Sequence, residues 1–187
     1  MIQLLIIIGV IQAVLSYPGR PGSCRTGNPM GGSHVTDMYG SLKFAGFQVF
    51  YQNSTELVSG SKFNTSRFHE FDLRVSNWDY FEYFRGVLIR LSAKNETIDA
   101  SNVLEKPYAE TQLSKLPSRG EQDGLESSCD EKVSALGHNN RNKKETVTFD
   151  MYFDDPGSYL LEVTVVFQNS GRSKDGYYKG NFDIEAI

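Results

Sequence analysis

Cysteine, histidine and long apolar runs are all scarce in this sequence. Two cysteines, Cys24 and Cys129, occur among its 187 residues. Beyond residue 16, no apolar run has the roughly 20 residues that a membrane-spanning helix needs, so we expect no membrane span. The three histidines, His34, His69 and His138, lack a second metal ligand at a recognisable spacing, and each is better explained as a structural histidine bonded to the backbone. The sequence therefore gives no reason to expect a bound metal or a cofactor.

Positive charge is also in short supply. The chain has 19 lysines and arginines against 23 aspartates and glutamates, which gives a net charge of −4. A mildly acidic protein is unlike a general binder of nucleic acids or anionic membranes, although a local basic patch can still exist. We therefore expect no nucleic-acid partner.

Catalytic motifs are missing as well. No serine lies in a nucleophile elbow, and no glycine-rich phosphate loop precedes a helix. Asp154 and Asp155 could be paired carboxylates, but two aspartates followed by Pro156 and Gly157 are more typical of a turn. The sequence therefore predicts a protein that is not an enzyme.

The chain begins with an apolar leader. Residues 1–16 carry no charge, residues 4–10 are almost wholly apolar, and a small residue, Ser16, precedes Tyr17. This pattern indicates a secretory signal peptide cut after Ser16, although its start lacks the usual lysine or arginine. The alternative is a buried N-terminal strand. We expect residues 17–187 to form one domain that is secreted and extracellular.

Three N-glycosylation sequons follow the leader. They begin at Asn53, Asn64 and Asn95. A single triplet of this kind arises often by chance, but three behind a signal peptide indicate exposed, glycosylated positions in a secreted protein.

Alternation of apolar and polar residues predicts a β-sheet protein. Residues 71–75, 146–153 and 161–167 place apolar side chains on one face and mostly polar ones on the other. The same interpretation extends to three further segments, 47–51, 84–91 and 177–187. Turn residues separate the late segments, and no long helical period occurs. This pattern predicts an all-β fold, an antiparallel β-sandwich.

One polar segment, 101–128, does not alternate. It contains two prolines and two glycines, and we expect a long loop with a helical turn over residues 108–116. A loop of this length in a compact domain is often functional or mobile. The alternative is a solvated insertion.

Cys24 and Cys129 are predicted to form a disulfide, because an exported protein with two cysteines usually pairs them. Closing a loop of roughly 100 residues stabilises a fold by about 4–5 kcal/mol in the chain-entropy model. The bond would fix a Gly- and Pro-rich N-terminal arm. Two free thiols are the alternative.

Short motifs along the chain resemble the reeler (reelin N-terminal) domain family. They are Tyr17-Pro18-Gly19 with Cys24 shortly after, the FRG-plus-apolar strand at 84–89, Cys129 followed by Ala135 and His138, and the late strands at 146–149 and 159–166 with Pro156-Gly157 between them. The chain departs from the family pattern at 135–138, which lacks the usual threonine before the histidine. It also has 151–153 as Met-Tyr-Phe, where a tryptophan followed by Ala-Pro is common.

The resemblance implies an immunoglobulin-like β-sandwich that works outside the cell. Stand-alone reeler proteins include arthropod proteins linked to innate defence and to binding microbial surfaces. By this resemblance we expect a non-catalytic recognition protein whose partner is a microbial surface lipid or glycan. The alternative is a module of the extracellular matrix or of cell adhesion that binds another extracellular protein.

Two clusters are candidate binding sites. Residues 77–84 include Trp78 and Tyr80, whose rings could stack on a sugar or a protein, but the cluster could equally cover the core. Arg141, Lys143 and Lys144 follow His138 in a short basic loop that could contact phosphate groups or an anionic glycan. A solvated hairpin tip is the simpler alternative for this loop.

Overall fold

The alternating segments form strands that build two facing sheets. The structure, a computed structural model, describes residues 24, 37–39, 47–52, 54–75, 83–116, 129–130, 132–140, 142–167 and 176–187. Within these residues the strands are β1 (Asp37–Tyr39), β2 (Phe47–Tyr51), β3 (Thr55–Glu56), β4 (Ser61–Phe63), β5 (Phe68–Val75), β6 (Gly86–Ala93), β7 (Leu104–Glu105), β8 (Leu113–Lys115), β9 (Val133–His138), β10 (Thr146–Tyr152), β11 (Gly157–Phe167) and β12 (Gly176–Ala186). None of the described residues is helical, so the predicted all-β class is confirmed.

The larger sheet has seven strands. Six of them follow the order β1-β12-β11-β6-β9-β8, and β4 also pairs with β12. The two short strands β1 and β4 run parallel to β12, and the other pairs are antiparallel. The longest ladder joins β11 to β12, from Gly157 opposite Ala186 to Phe167 opposite Gly176.

The smaller sheet has five strands in the order β3-β2-β5-β10-β7, all antiparallel. Its central pair, β5 and β10, is in register over seven residues, from Arg74 opposite Thr146 to Phe68 opposite Tyr152. This ladder determines which outward side chains are neighbours on the exposed face of the sheet.

The core lies between the inner faces of the two sheets. Because side chains alternate along a strand, Val147, Phe149 and Met151 of β10 point inward and are buried, as the sequence predicts. Aromatic rings fill much of this layer: Phe149 stacks on Phe71 at 5.4 Å between ring centroids. Phe153 meets the ring of Tyr159 from the larger sheet at 4.9 Å.

The predicted long loop at 101–128 contains two short strands, β7 and β8, in its first half. The prediction of a helical turn over residues 108–116 is wrong. A tight turn forms at Tyr108, closed by the Glu110 N–H donating to the Pro107 carbonyl at 2.9 Å, and a strand follows. Strands of two and three residues are too short to produce a readable alternation. Residues 117–128 lie outside the described part of the chain.

The predicted disulfide between Cys24 and Cys129 is confirmed. Both cysteines are buried, and they pack with Leu88, Val133 and Ala135, which come from β6 and β9. Since Val87 and Ile89 belong to the core, Leu88 lies on the other face of the larger sheet. The disulfide therefore attaches Cys24 to that outer face.

The predicted signal peptide, residues 1–16, lies outside the described residues. Among the residues that are described, no helix is long and apolar enough to cross a membrane.

Candidate ligand-binding site

Lys144 is the most deeply buried charged residue near the predicted basic loop. Its side chain is only 1% exposed, and its Nζ donates to the carbonyls of Arg85 (3.1 Å), Asn140 (2.9 Å) and Asn142 (2.8 Å). It also donates to the side-chain Oδ1 of Asn140 at 3.2 Å. The sequence predicts Lys144 as part of a basic loop that contacts a ligand. This prediction is corrected for Lys144, because its ammonium faces four protein oxygens and not solvent.

The backbone of Lys144 explains why its side chain turns inward. Its N–H and carbonyl exchange hydrogen bonds with those of Phe84 at 2.8 and 2.9 Å, which places the residue beside the entrance to β6. Burial lowers the pKa of Lys144 to about 8, the carboxylate of Glu110 acts in the opposite direction, and the guanidinium of Arg85 lowers it further. At neutral pH the ammonium is thus still charged.

The loop around this ammonium is bonded to neighbouring segments. The Asn139 side-chain amide donates to the Thr111 carbonyl at 2.7 Å, and its N–H donates to the Gln112 carbonyl at 3.0 Å. The Asn142 N–H donates to Oδ1 of Asn140 at 3.0 Å, as in an Asx turn. These bonds and the Lys144 ammonium fix the described part of the loop.

Lys143 points the other way. Its side chain is exposed, and its ammonium lies 4.2 Å from the centroid of the Tyr83 ring. The guanidinium of Arg85 lies 5.9 Å from the same centroid. Cations at these distances from an aromatic face are attracted by the ring quadrupole. The pair of Lys143 and Tyr83 therefore combines a solvent-facing cation with a half-buried aromatic ring.

An open depression of about 460 Å³ lies beside this pair, and we call it the Tyr83 depression. Its lining residues are Tyr83, Gln112, Lys143, Lys144, Glu145 and Thr146. The Gln112 side-chain amide donates to the Thr146 carbonyl at 3.3 Å, which joins the two sides of the depression. Lys143 and Glu145 give it one exposed cation and one exposed carboxylate. Such a surface can hold a ligand that carries an anion together with hydroxyl groups.

Several predicted binding residues cannot be placed. Trp78, Tyr80 and Arg141 lie outside the described residues, as does the predicted glycosylation site Asn53. Their roles stay predictions, as does the role of Lys143 in binding.

The described end of the aromatic cluster is divided between the core and the surface. Phe84 is fully buried and meets the ring of Phe47 edge-on at 5.6 Å, which fits the interpretation that the cluster covers the core. Tyr83, one residue earlier, lines the depression instead. Neither Tyr83 nor Arg85 is among the site residues predicted from the sequence. The signal that could have identified them is alternation, because Tyr83 and Arg85 flank the buried Phe84 and therefore point away from the core.

The two described histidines are structural. The Val87 nitrogen lies 3.2 Å from Nδ1 of His138. The His138 ring also packs against Gly86, so closely that a Cβ at residue 86 would lie 3.3 Å from the ring. His69 Nε2 bonds to the Asn64 carbonyl at 2.7 Å, and burial lowers the pKa of His69. No group of three or more His, Cys, Asp or Glu in the described part of the chain could hold a metal ion.

Asn64 and Asn95 of the predicted sequons are exposed. Oδ1 of Asn95 accepts from the Thr97 N–H at 3.0 Å and from its hydroxyl at 2.9 Å. Both side chains are accessible to a modifying enzyme, and glycosylation itself stays a prediction.

No protein-family model and no curated protein matches the chain. Among solved structures, it is similar to the reeler domain of human F-spondin, with 11% identity, a TM-score of 0.49, and coverage of 80% of this chain and 94% of that one. A Reelin-N domain of F-spondin matches at 9% identity and a TM-score of 0.46, covering 80% of this chain and 91% of that one. A cohesin module of a family 33 glycoside hydrolase from Clostridium perfringens matches at 10% identity and a TM-score of 0.33, covering 75% and 98%. The family that the sequence motifs resemble is thus found among these structures, and similarity at this level carries no information on ligands.

Proposed function

We propose that this protein is a secreted, non-catalytic recognition protein of innate defence that binds anionic lipids or glycans of microbial surfaces. The observation that carries the proposal is the exposed Lys143 ammonium held against the Tyr83 ring beside an open depression. The reeler resemblance of the sequence motifs supplies the expectation of defence, and the disulfide is typical of proteins outside the cytosol.

The chemistry of recognition follows from the two side chains. A phosphate or carboxylate would accept a charge-assisted hydrogen bond from Lys143, and the Tyr83 ring would offer its face to the apolar side of a sugar. Because Lys144 fixes the loop from below, little conformational entropy would be lost when a ligand binds. The exposed Glu145 would disfavour ligands with closely spaced negative charges.

The proposal is tested by binding of the full chain to phosphatidylcholine vesicles with and without bacterial lipopolysaccharide. Lys143→Ala removes the only exposed cation that the described residues contribute to the lining of the depression, and we expect it to weaken binding about tenfold, the typical value of one charge-assisted hydrogen bond. Tyr83→Ala should weaken binding as well. Lys62→Ala removes an exposed lysine on β4 that does not line the depression, and it serves as the matched control.

Equal losses from Lys143→Ala and Lys62→Ala would mean that attraction is a general effect of charge, and would remove the depression from the mechanism. Binding should also fall with rising salt, since exposed charges are screened.

The second candidate function is an extracellular matrix or adhesion module that binds another protein. The observation in its favour is the pair of rings of Phe68 and Tyr152 on the smaller sheet, with Phe68 exposed, because aromatic side chains are enriched in protein-binding surfaces. Recovery of an abundant protein from extracellular fluid, with no binding to lipopolysaccharide vesicles, would favour this function over the first.

A further inference from the structure

The outer face of the smaller sheet carries an aromatic pair next to a row of carboxylates. Phe68 on β5 lies opposite Tyr152 on β10, with their ring centroids 4.9 Å apart, and Phe68 is 64% exposed. Two residues further along the same strands, Glu70 lies opposite Asp150. Glu105 on β7 lies opposite Asp150 on its other side. We call Phe68, Tyr152, Glu70 and Asp150 the acidic–aromatic end of the sheet.

Among the residues that the structure describes, two of these carboxylates, Glu70 and Asp150, form no ion pair. Glu105 is paired with Lys115 at 2.5 Å. Like charges directly opposite each other on neighbouring strands are destabilising. Partial burial and the neighbouring Glu70 and Glu105 raise the pKa of Asp150. The sheet thus keeps an unneutralised pair of carboxylates at a cost in stability.

Elsewhere on the same face, an aromatic ring and a carboxylate together contact an arginine side chain. Further along β5, the guanidinium of Arg74 lies 5.2 Å from the centroid of the Phe50 ring and pairs with the carboxylate of Asp72. Asp72 also accepts from the Thr148 hydroxyl at 2.7 Å. An aromatic ring, a carboxylate and an arginine are therefore already combined on this sheet. The acidic–aromatic end has the ring pair and the carboxylates, but no arginine of the described residues pairs with them.

We propose that the acidic–aromatic end binds an extended, arginine-bearing segment of a partner protein. A guanidinium would lie against the Phe68–Tyr152 pair and donate to Glu70 and Asp150, as Arg74 does toward Phe50 and Asp72. Alternate residues of an extended segment are about 7 Å apart, which matches the spacing between the aromatic row and the carboxylate row. One such segment can therefore place successive outward side chains on both rows.

This surface is separate from the Tyr83 depression. Thr146, which lines the depression, and Tyr152 stand at opposite ends of β10, about 20 Å apart at the usual rise of a strand. The two surfaces also select opposite charges. A variant at one of them should leave binding at the other unchanged.

The test measures binding of a fluorescent hexa-arginine peptide to the full chain by anisotropy. Neutralising the pair with Glu70→Gln and Asp150→Asn together should weaken binding at least about tenfold, the loss typical of one charge-assisted contact. The matched control is Glu96→Gln with Asp183→Asn, which makes the same change in net charge at exposed positions away from this surface, Asp183 lying on β12 of the larger sheet. This control should bind the peptide as the unmodified protein does.

Phe68→Ser separates stacking from charge, because it leaves the net charge unchanged. We expect it to weaken hexa-arginine binding while Lys143→Ala has no effect on it. Circular dichroism of each variant verifies that it is folded.

Three results would overturn the proposal. The first is failure of the unmodified protein to bind hexa-arginine. The second is equal weakening of binding by the two double variants, since this would indicate attraction by net charge alone. The third result is self-association in sedimentation that Glu70→Gln with Asp150→Asn abolishes, because the occupant of the surface would then be a second copy of this chain.

Discussion

The ammonium of Lys144 is held by three main-chain carbonyls and one side-chain amide oxygen. A lysine this deeply buried loses most of its hydration, and four acceptors offset part of that loss. It stabilises the loop that presents Lys143, whose own ammonium faces solvent. At the residue scale, two adjacent lysines therefore have different surroundings: the ammonium of Lys144 is bonded to backbone carbonyls, and that of Lys143 faces solvent beside the Tyr83 ring.

The buried ammonium predicts an unusual pH dependence of stability. Burial lowers the pKa of Lys144 from 10.5 to about 8, so between these values the unfolded chain binds more protons than the folded one. Stability from this group therefore rises with pH across that window, with a slope of up to about 1.4 kcal/mol per pH unit. Lys144→Met removes the titration. Urea unfolding should show the free-energy difference between unmodified protein and variant growing in favour of the unmodified protein from pH 8 to pH 10.5.

A constant difference between the two proteins over this range would contradict the prediction. Lys143→Met is the control, because it removes an exposed lysine from the same loop and leaves Lys144 in place.

At the scale of an element, the β5–β10 ladder shows what the alternation of apolar and polar residues can predict and what it cannot. A period of two is enough to predict which residues of β10 are buried, and that prediction is confirmed for Val147, Phe149 and Met151. The same alternation places Asp150 and Tyr152 on the outer face. What the pattern cannot supply is the neighbour across the strands, since the register with β5 depends on residues about 80 positions away in the chain.

This register predicts opposite effects for two aspartates of the smaller sheet. Asp150→Asn should raise the free energy of unfolding by about 0.2–1 kcal/mol, because it removes like-charge repulsion from Glu70 and Glu105. Asp72→Asn should lower it by about 1.5–3 kcal/mol, because the buried Asp72 accepts from Arg74 and Thr148. Urea unfolding at neutral pH measures both.

The gain from Asp150→Asn should shrink as the pH falls, since protonation of Asp150 removes the same charge. Because the pKa of Asp150 is raised, the stability gain of the variant begins to shrink at a higher pH than it would for an ordinary aspartate. A destabilised Asp150→Asn variant would show that the carboxylate is favourable in the folded state, against the repulsion inferred from the register.

The whole molecule could be predicted from the sequence only in outline. The two-layer β architecture follows from periodicity, and the Cys24–Cys129 pair follows from the scarcity of cysteine behind an apolar leader. Of the residues that line the Tyr83 depression, Lys143 and Lys144 were singled out from the sequence, and only Lys143 is exposed as expected. The inward turn of Lys144 depends on the carbonyl of Arg85, 59 residues away, and no local pattern encodes such a contact. The short strands β7 and β8 were missed because their position depends on β10 and β9, with which they pair.

The disulfide joins residues 105 positions apart and links Cys24 covalently to the residue whose side chain packs on the outer face of the larger sheet, Cys129. Replacing both cysteines by alanine removes the constraint on the unfolded chain, and we expect the free energy of unfolding to fall by about 2–5 kcal/mol. Part of the loss would come from weaker packing over Leu88 and Ala135. Urea unfolding of the double variant, compared with the unmodified protein with and without reductant, measures the effect.

The reduced protein and the alanine variant should lose similar stability, because both lack the bond. Binding of hexa-arginine under native conditions should persist in both, since Phe68 and Asp150 lie on the other sheet and make no contact with the cysteine cluster. Equal stability of oxidised and reduced protein would mean that the bond between Cys24 and Cys129 does not contribute to the free energy of unfolding. Loss of peptide binding in a folded double variant would instead show that the outer faces of the two sheets are energetically coupled through the shared core.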